Sequence, residues 1–219
     1  MKARRVSPAA SSRRQPVESA AAGSAAARHA DPVRLAAEVA RLEAELAAMR
    51  ARVSELETHA ERDPLTGLLN RRGFARELAR ASAHVRRYGG NAALIYLDLD
   101  RFKPVNDRHS HAAGDAVLKA VAASLAGSVR ASDAVARIGG DEFAVLLWNL
   151  SASSARNKAD ALERAIATTA VSWSGQLLMV GATAGVAELA ADTDVEDLVA
   201  RADAAMYERK SAHRDGITR

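Results

Sequence analysis

The sequence predicts an α+β domain in which a mixed sheet carries helices packed on one face, preceded by a separate amphipathic helix. Three observations lead to this prediction. A heptad pattern of apolar residues ends before Asp63-Pro64, apolar runs then alternate with helical patterns, and two short apolar runs flank Gly139-Gly140-Asp141-Glu142. Short strands around a Gly-Gly pair are typical of a β-hairpin, which places Asp141 and Glu142 where a strand begins.

Composition excludes several classes of protein. The chain has 219 residues, 48% hydrophobic and 26% charged, which is enough for one globular domain with an appendage. It contains no cysteine, so disulfides, thiolate metal sites and a cysteine nucleophile are excluded, and a reducing compartment is favoured. No apolar run is long enough to span a membrane, and no signal-peptide pattern is present. We therefore expect a cytoplasmic protein without an integral membrane segment.

Residues 1–32 form a basic leader. Residues 1–34 hold seven lysines or arginines against two acids, a net charge of +5, so the remaining residues contribute −1 to the total of +4. The leader has no apolar periodicity and too few apolar residues to offset the entropy of ordering, so we expect disorder. Contact of its arginines with membrane lipid or nucleic acid is the alternative to a solvated tail. Because the basic charge is confined to the leader, we expect no nucleic-acid partner.

Residues 33–61 carry a heptad repeat. Its apolar positions are Leu35, Val39, Leu42, Leu46, Met49, Val53, Leu56 and Ala60. β-Branched residues at position a with leucine at position d favour two parallel strands, so we expect a parallel coiled-coil homodimer. The alternative is a single amphipathic helix that packs on its own domain. Pro64 disfavours a helical Asp63, which places a domain boundary at about residue 62.

Residues 62–219 form the predicted globular domain. Its first helix reaches about Tyr88 and ends at Gly89-Gly90-Asn91, and the apolar run 92–99 predicts a buried strand. Residues 102–107 are assigned to no element. The next helix covers about 112–129, because its apolar residues recur on one helical face.

The remaining elements surround and follow the hairpin. They are strands near 133–137 and over 142–148, a helix over 153–169, a strand over 176–186 and a final helix over 195–212. Ser151 or Ser153 is the predicted N-cap of the helix that follows the hairpin.

Two carboxylates stand at strand ends. Asp98 ends the buried strand and Asp141 begins the second hairpin strand, so they converge at one edge of the sheet if the strands are neighbours. Oxygen ligands without nearby histidine or cysteine suit Mg²⁺, which binds one or two protein carboxylates together with water and substrate phosphates. We therefore expect a Mg²⁺ site, with Mn²⁺ as an alternative ion, that holds a nucleoside triphosphate. For Asp98 alone, a role as a cap or turn residue is the alternative.

Four ordered motifs resemble those of the GGDEF family of diguanylate cyclases. They occupy residues 63–72, 98–115, 139–143 and 202–207, and the resemblance extends from Asp63 to about Arg214. It implies a fold like that of nucleotide-polymerising palm domains and nucleotidyl cyclases. It also implies condensation of two GTP molecules into cyclic di-GMP and pyrophosphate, which makes residues 62–219 the catalytic domain.

The resemblance implies roles for the residues around the turn. Asp98, Asp141 and the backbone carbonyl of Leu99 match Mg²⁺ ligands, and Glu142 matches a proposed general base or second metal ligand. A carboxylate near a bound metal has a lowered pKa, which favours ligation over base catalysis. Because Gly139 and Gly140 carry no side chains, the nucleotide has room beside their backbone.

Further roles concern the substrate. Asn106 and Asp115 match the guanine-binding residues of the family. Their chemistry suits that role, since a carboxylate accepts hydrogen bonds from the N–H edge of guanine. Lys103 matches a lysine that stabilises transition-state charge, and His111 matches a substrate-binding histidine. Lys210 and Arg214 match phosphate-binding residues of the family and lie four residues apart on one helical face. As isolated residues, Lys103 and His111 are ordinary surface side chains.

A second site is implied by Arg130-Ala131-Ser132-Asp133, which precedes Gly139 by five residues. An Arg-x-x-Asp at this offset matches the inhibitory site that binds cyclic di-GMP in the family. An arginine fork engages guanine or phosphate through paired hydrogen bonds. We therefore expect cyclic di-GMP to be both product and inhibitor.

The reaction that the resemblance implies requires two domains that face each other, since one domain would hold one GTP, and we expect the heptad repeat to supply the homodimer. The alternative function is a catalytically idle receptor of cyclic di-GMP or GTP that acts through partner contacts. The retention of all five residues from Gly139 to Phe143 favours the enzyme.

Three departures from the family pattern stand near the substrate residues. Ser110 replaces a usual glycine before His111, so we expect backbone displacement or strain there. His213 and Asp215 replace the usual glycine and asparagine around Arg214.

Overall fold

The structure is a computed structural model that describes residues 32–217, without the side chains of residues 51, 53–60, 152 and 213–217. Apart from Pro32, the predicted leader lies outside the described residues. The chain divides into two compact units, Met1–Val53 and Ser54–Arg219, and each is described by itself. Among the helices of the described part, none combines the length and apolar composition needed to cross a membrane.

Helix α1 (Pro32–Ala60) contains the heptad repeat. Proline is tolerated in a first helical turn because its missing N–H has no intrahelical acceptor there. The described residues at apolar heptad positions form a stripe that is between 47% and 65% exposed: Leu35, Val39, Leu42, Leu46 and Met49. Beside that stripe, the Arg41 guanidinium pairs with Glu38 and Glu45, one turn before and one turn after it. The helix therefore presents an apolar stripe with charged flanks.

Within the described residues, the second unit contains five helices and six strands of its own. These are α2 (Arg71–Tyr88), β1 (Ala92–Asp100), α3 (Phe102–His109), α4 (His111–Gly127), β2 (Ala134–Arg137), β3 (Glu142–Trp148), α5 (Ala152–Ala167), β4 (Val171–Trp173), β5 (Gln176–Leu178), β6 (Gly181–Leu189) and α6 (Val195–Ile217). Asn70 caps α2, since its side chain accepts from the Gly73 amide at 2.9 Å. Ser151 is the N-cap of α5, one of the two predicted caps.

The main sheet has the strand order β2-β3-β1-β6. All three strand pairings are antiparallel, and a single parallel bridge joins Leu69 to Ala136 beside β2. Strand β1 lies inside the sheet, and its residues 92–97 are buried. The predicted α+β class and the neighbouring positions of β1 and β3 are confirmed.

The prediction that helices cover one face of the sheet is wrong. Ile95, Leu97 and Leu99 of β1 pack in a core with α3, α4 and α5. Leu94 and Tyr96 belong to a second core with α2 and α6. Successive strand side chains point to opposite faces, so the continuous apolar run of β1 serves both cores.

Two other segments differ from prediction. Residues 102–109, for which no element was predicted along most of their length, form α3, whose Phe102 and Val105 are buried. Pro104 obscured this short helix, although proline is tolerated in a first turn. The single strand predicted over 176–186 is divided, because β5 pairs with β4 in a separate hairpin and β6 joins the main sheet.

Helix α6 packs directly on the backbone of β6. A Cβ atom on Gly185 would lie 2.0 Å from the Ala202 carbonyl oxygen and 2.3 Å from the Met206 nitrogen. Only glycine permits this approach, since both neighbours are backbone atoms of the helix. The close packing brings the following turn of α6, which carries Lys210, to the end of β1.

Candidate active site

The candidate site begins where β1 and β3 end together. The register places Asp98 directly opposite Glu142, and the Leu99 amide donates to the Asp141 carbonyl at 3.1 Å. Side chains directly opposite on antiparallel strands share a face, with Cβ atoms about 4.5–5.5 Å apart. The antiparallel pairing therefore brings Asp98, Leu99, Asp141 and Glu142 to one edge of the sheet, as expected.

Gly139, the first glycine of the turn, leaves space for Glu142. A Cβ atom on Gly139 would lie 2.5 Å from Glu142 Oε2, whereas one on Gly140 would meet nothing within 4 Å. Neither glycine has a positive φ. A side chain at position 139 would therefore displace the Glu142 carboxylate, and the turn does not depend on left-handed backbone.

A positive charge lies beside Glu142, and a tyrosine lies beneath it. Arg71 Nη2 is 3.8 Å from Glu142 Oε2, and Tyr96 precedes Asp98 on the same face of β1. Burial raises the pKa of the Tyr96 phenol, and the negative charge of Glu142 raises it further. The phenol therefore stays neutral at physiological pH and adds no charge to the site.

Lys210 contacts Asp98. The Lys210 ammonium donates to Asp98 Oδ1, and the two side chains are 29% and 19% exposed. Lys210 was expected to contact substrate phosphates, and its direct pair with a candidate metal ligand was not predicted from the sequence. A cation bound at that same carboxylate oxygen would compete with the ammonium.

The oxygen ligands fit a hard cation. The ends of β1 and β3 offer carboxylates and a backbone carbonyl, which are the donors that Mg²⁺ prefers. Within the described residues, no group of three or more histidine, cysteine, aspartate or glutamate side chains could hold a metal ion. Because Mg²⁺ completes its shell with water and phosphates, one or two carboxylates are enough to hold it when a nucleotide is bound.

The guanine-binding candidates meet at the junction of α3 and α4. A Cβ atom on Gly114 would lie 1.9 Å from Asn106 Oδ1, so the Asn106 amide rests on the residue just before Asp115. The Asn106 carbonyl accepts from the Ser110 amide at 3.1 Å. Gly114 was missed by the sequence analysis. The sequence feature that could have indicated it is a glycine inside a predicted helix, where glycine lowers helix stability by about 1 kcal/mol relative to alanine.

The remaining substrate candidates are exposed or outside the described side chains. Lys103 is exposed in the first turn of α3, and His111 is the exposed first residue of α4. The side chains of Arg214 and of its neighbours His213 and Asp215 lie outside the described residues.

Arg130 and Asp133 form a closed turn near the opposite end of β3. Asp133 Oδ2 accepts from the Arg130 amide at 3.0 Å, and Asp133 Oδ1 accepts from the Trp148 amide at 3.2 Å. The Arg130 side chain is exposed and helps to line a hollow with His84 and Trp148. The Asp133 carboxylate therefore orients the turn, and the Arg130 guanidinium is accessible to a ligand.

Ser110 adopts a strained backbone, as expected from its replacement of glycine. Its φ of 136° and ψ of 164° lie in a region that is essentially restricted to glycine. Its hydroxyl caps α4 by accepting from the Ala113 amide at 3.4 Å. The residue therefore combines a backbone cost with a cap.

Ser110→Gly is expected to increase the free energy of unfolding by about 1 kcal/mol. Relief of about 1–3 kcal/mol of strain outweighs the loss of a cap worth a few tenths and the unfolded-state entropy of glycine. Thermal and urea unfolding measure the change. Ser110→Ala is the matched control, because it keeps the strain, loses the cap and is expected to be less stable than the parent. A glycine variant less stable than the parent would contradict the prediction.

Comparison with known proteins shows the family of this chain. A protein-family model described as "Diguanylate cyclase, GGDEF domain" matches residues 60–216. The diguanylate cyclase DgcP of Pseudomonas aeruginosa is 39% identical over 155 residues, which cover 71% of this chain and 23% of DgcP. The diguanylate cyclase DgcS of Shewanella oneidensis is 35% identical over 162 residues, which cover 74% of this chain and 53% of DgcS. The chain thus spans about a quarter to a half of the length of these two relatives.

A solved structure has the same fold. The crystal structure of the coiled coil and GGDEF domain of DgcB from Caulobacter crescentus, in complex with c-di-GMP, aligns with a TM-score of 0.72 and 29% identity. The alignment covers 81% of this chain and 95% of the DgcB chain. Since the family match extends over 60–216, well beyond half of the chain, the protein belongs to the GGDEF-domain family of diguanylate cyclases.

Proposed function

We propose that this protein is a Mg²⁺-dependent diguanylate cyclase that condenses two GTP molecules into cyclic di-GMP and two pyrophosphates. The observation that supports it most directly is the pairing of β1 with β3. This pairing sets Glu142 opposite Asp98, with Asp141 and an intact Gly139-Gly140 pair beside them.

The proposed reaction consists of two equivalent phosphoryl transfers. The 3′-hydroxyl oxygen of each GTP attacks the α-phosphorus of the other GTP and forms a new P–O bond. The bond between that α-phosphorus and the oxygen that bridges it to the β-phosphate breaks. Each hydroxyl loses its proton and each pyrophosphate leaves. Bound Mg²⁺ would supply Lewis-acid stabilisation of charge on the phosphates. Asp98, Asp141 and the Leu99 carbonyl would hold it, with Glu142 as a further ligand or as the proton acceptor.

Other side chains around the site have further proposed roles in substrate binding and catalysis. Lys210 and Arg214 carry the positive charge proposed to neutralise triphosphate oxygens, and Lys103 is proposed to stabilise transition-state charge. In this proposal, His111 contributes to substrate binding from the start of α4. Glu142 is required either as a ligand or as the group that receives the proton of the 3′-hydroxyl.

Guanine recognition is assigned to Asn106 and Asp115, and Gly114 tests this assignment. Gly114→Ala is expected to raise the KM for GTP about 10–100-fold, because the new methyl group displaces the Asn106 amide. The fold should survive, since the displaced group is the end of the Asn106 side chain, the Phe102 ring at 3.1 Å needs to move by only a few tenths of an ångström, and alanine favours the helix by about 1 kcal/mol. Initial rates against GTP concentration and thermal unfolding measure the two effects.

Gly127→Ala is the matched control for that variant. Gly127 ends the same helix, and a Cβ atom there would meet nothing within 4 Å. The control should keep the parental KM. A parental KM in Gly114→Ala as well would contradict the assignment of Asn106.

Dimerisation completes the proposed enzyme. A domain that binds one GTP must face a second copy, and a parallel coil of two α1 helices would supply that copy. The exposed apolar stripe of α1 supports this proposal, because a coiled-coil seam is apolar and lies between charged flanks.

Product inhibition is assigned to Arg130 and Asp133. Arg130→Ala is expected to raise the cyclic di-GMP concentration for half-inhibition at least about 10-fold, since a paired guanidinium contact contributes about 1–3 kcal/mol. The initial rate at increasing product concentration measures this shift. Ser132→Ala, an exposed change inside the same turn, should keep the parental inhibition. Unaltered inhibition in Arg130→Ala would contradict the proposed product site.

One incubation separates the enzyme from the alternative, an idle receptor of cyclic di-GMP or GTP. The full chain is incubated with GTP and Mg²⁺, and cyclic di-GMP is sought by mass spectrometry. The double variant Asp141→Ala, Glu142→Ala should form none. A parent protein that binds either nucleotide without forming product would support the receptor.

A further inference from the structure

Arg137, the last residue of β2, joins two segments that are far apart in the sequence. Its Nε and Nη2 donate to the Gly140 carbonyl at 3.2 and 2.8 Å. Its Nη1 lies 3.3 Å from both carboxylate oxygens of Asp63. The two side chains are 15% and 17% exposed, so solvent screens this contact only partly. One guanidinium thus links the turn at Asp63 to the Gly139-Gly140 turn of the candidate site.

The Asp63 end of this link is held by its own turn. Asp63 Oδ1 accepts from the Thr66 amide at 2.8 Å and from its hydroxyl at 2.6 Å. The Asp63 amide donates to the Leu68 carbonyl at 2.8 Å. Burial acts to raise the pKa of Asp63, but the Thr66 hydrogen bonds and Arg137 outweigh it and lower the pKa. The carboxylate is therefore a charged and oriented anchor.

Backbone contacts continue the link in both directions. The Leu69 amide donates to the Val135 carbonyl at 3.2 Å, and the Arg137 amide donates to the Leu69 carbonyl at 2.8 Å. Toward the start of the domain, the Asn70 amide donates to the Glu61 carbonyl at 2.8 Å. The segment that follows α1 is thus bonded along the strand that leads into the glycine turn.

The glycine turn needs such support. Its own closure consists of the Ile138 amide, which donates to the Glu142 carbonyl at 2.8 Å, and a longer contact of 3.4 Å from the Gly139 amide. Consecutive glycines have more accessible backbone conformations than other residues. A fork that binds the Gly140 carbonyl twice removes part of that freedom. Lysine, with a single ammonium, cannot span both partners in this planar geometry.

We infer that Arg137 is a positioning residue that, anchored on Asp63, holds the Gly139-Gly140 turn so that Asp141 and Glu142 stay beside Asp98. The consequence for turnover rests on the proposed cyclase function. The consequence for the turn itself does not. Because Asn106 and Asp115 lie on α3 and α4, loss of the link should lower kcat and leave the KM for GTP nearly unchanged.

The test uses the full chain with Arg137→Lys and, as a milder change, Asp63→Asn. Hydrogen exchange is measured at the Ile138 and Leu99 amides, which donate to the Glu142 and Asp141 carbonyls. We expect at least about 10-fold faster exchange at both amides and a decrease in kcat of about 10–100-fold, the usual cost of removing a supporting contact. The KM for GTP should change less than about 3-fold.

Arg62→Gln is the matched control. Arg62 donates to the Gly67 carbonyl at 2.7 Å, so it supports the same Asp63 turn without contacting the glycine turn. Parental exchange and kcat are expected in this variant. If Arg137→Lys does not fold, Asp63→Asn decides the question.

Parental exchange at both amides in Asp63→Asn and in any folded Arg137→Lys would overturn the inference, as would an equal fall in kcat in Arg62→Gln. A parent chain that forms no cyclic di-GMP would instead refute the proposed function, and the exchange measurement would still test the link.

Discussion

Asp98→Asn is expected to reduce cyclic di-GMP formation by at least about 10³-fold, or about 4 kcal/mol of transition-state stabilisation, while the fold is retained. Asparagine keeps the shape of the side chain but loses the negative charge that a hard cation requires. Asp98 also pairs with Lys210, and both groups are partly buried. Loss of that pair should cost about 1 kcal/mol or less of unfolding free energy, because a partly solvated pair contributes little.

The measurement is the rate of product formation at saturating Mg²⁺ and GTP, together with urea unfolding. Asp100→Asn is the matched control, two residues further along the same strand. Its carboxylate accepts from the Thr183 hydroxyl at 3.0 and 3.1 Å, which an asparagine oxygen can also do. We expect near-parental activity in this control. Parental activity in Asp98→Asn, or equal loss in both variants, would contradict the assignment of Asp98.

The double variant Leu42→Pro, Leu46→Pro is expected to make specific activity fall on dilution, by roughly 10²-fold at nanomolar protein. Proline inside a helix costs about 3 kcal/mol or more, and two within four residues interrupt α1. Without the coil, two catalytic domains lose an effective concentration of about 1 mM and must meet by diffusion. At high protein concentration the activity should approach that of the parent.

Activity across a dilution series and sedimentation velocity at the same concentrations test this prediction. Leu42→Ala with Leu46→Ala keeps the helix, weakens the apolar stripe and should give an intermediate effect. Arg41→Gln changes a charged flank of the stripe and should leave the dilution behaviour unaltered. Constant specific activity of the proline variant down to nanomolar protein would exclude the coil as the tether.

Local patterns predicted most of the elements that build the site. The heptad repeat predicted the helix that ends at Ala60, the apolar run predicted β1, and the Gly139-Gly140 pair predicted the hairpin. Each of these signals lies within a few turns or one strand, where spacing and residue type act directly on the backbone. Helix α3 was not predicted, because it is short and contains Pro104.

Residue types and spacing were therefore sufficient for the α+β class and for the carboxylates at the strand ends, and the resemblance of four motifs indicated the family. Tertiary structure alone decided that helices cover both faces of the sheet. It also decided two contacts between distant residues: Lys210 with Asp98, 112 residues apart, and Arg137 with Asp63, 74 residues apart. The physical reason is that such contacts depend on strand order, register and the closeness of α6 to Gly185. None of these leaves a periodic signal in the chain, because each is set by elements that meet only after folding.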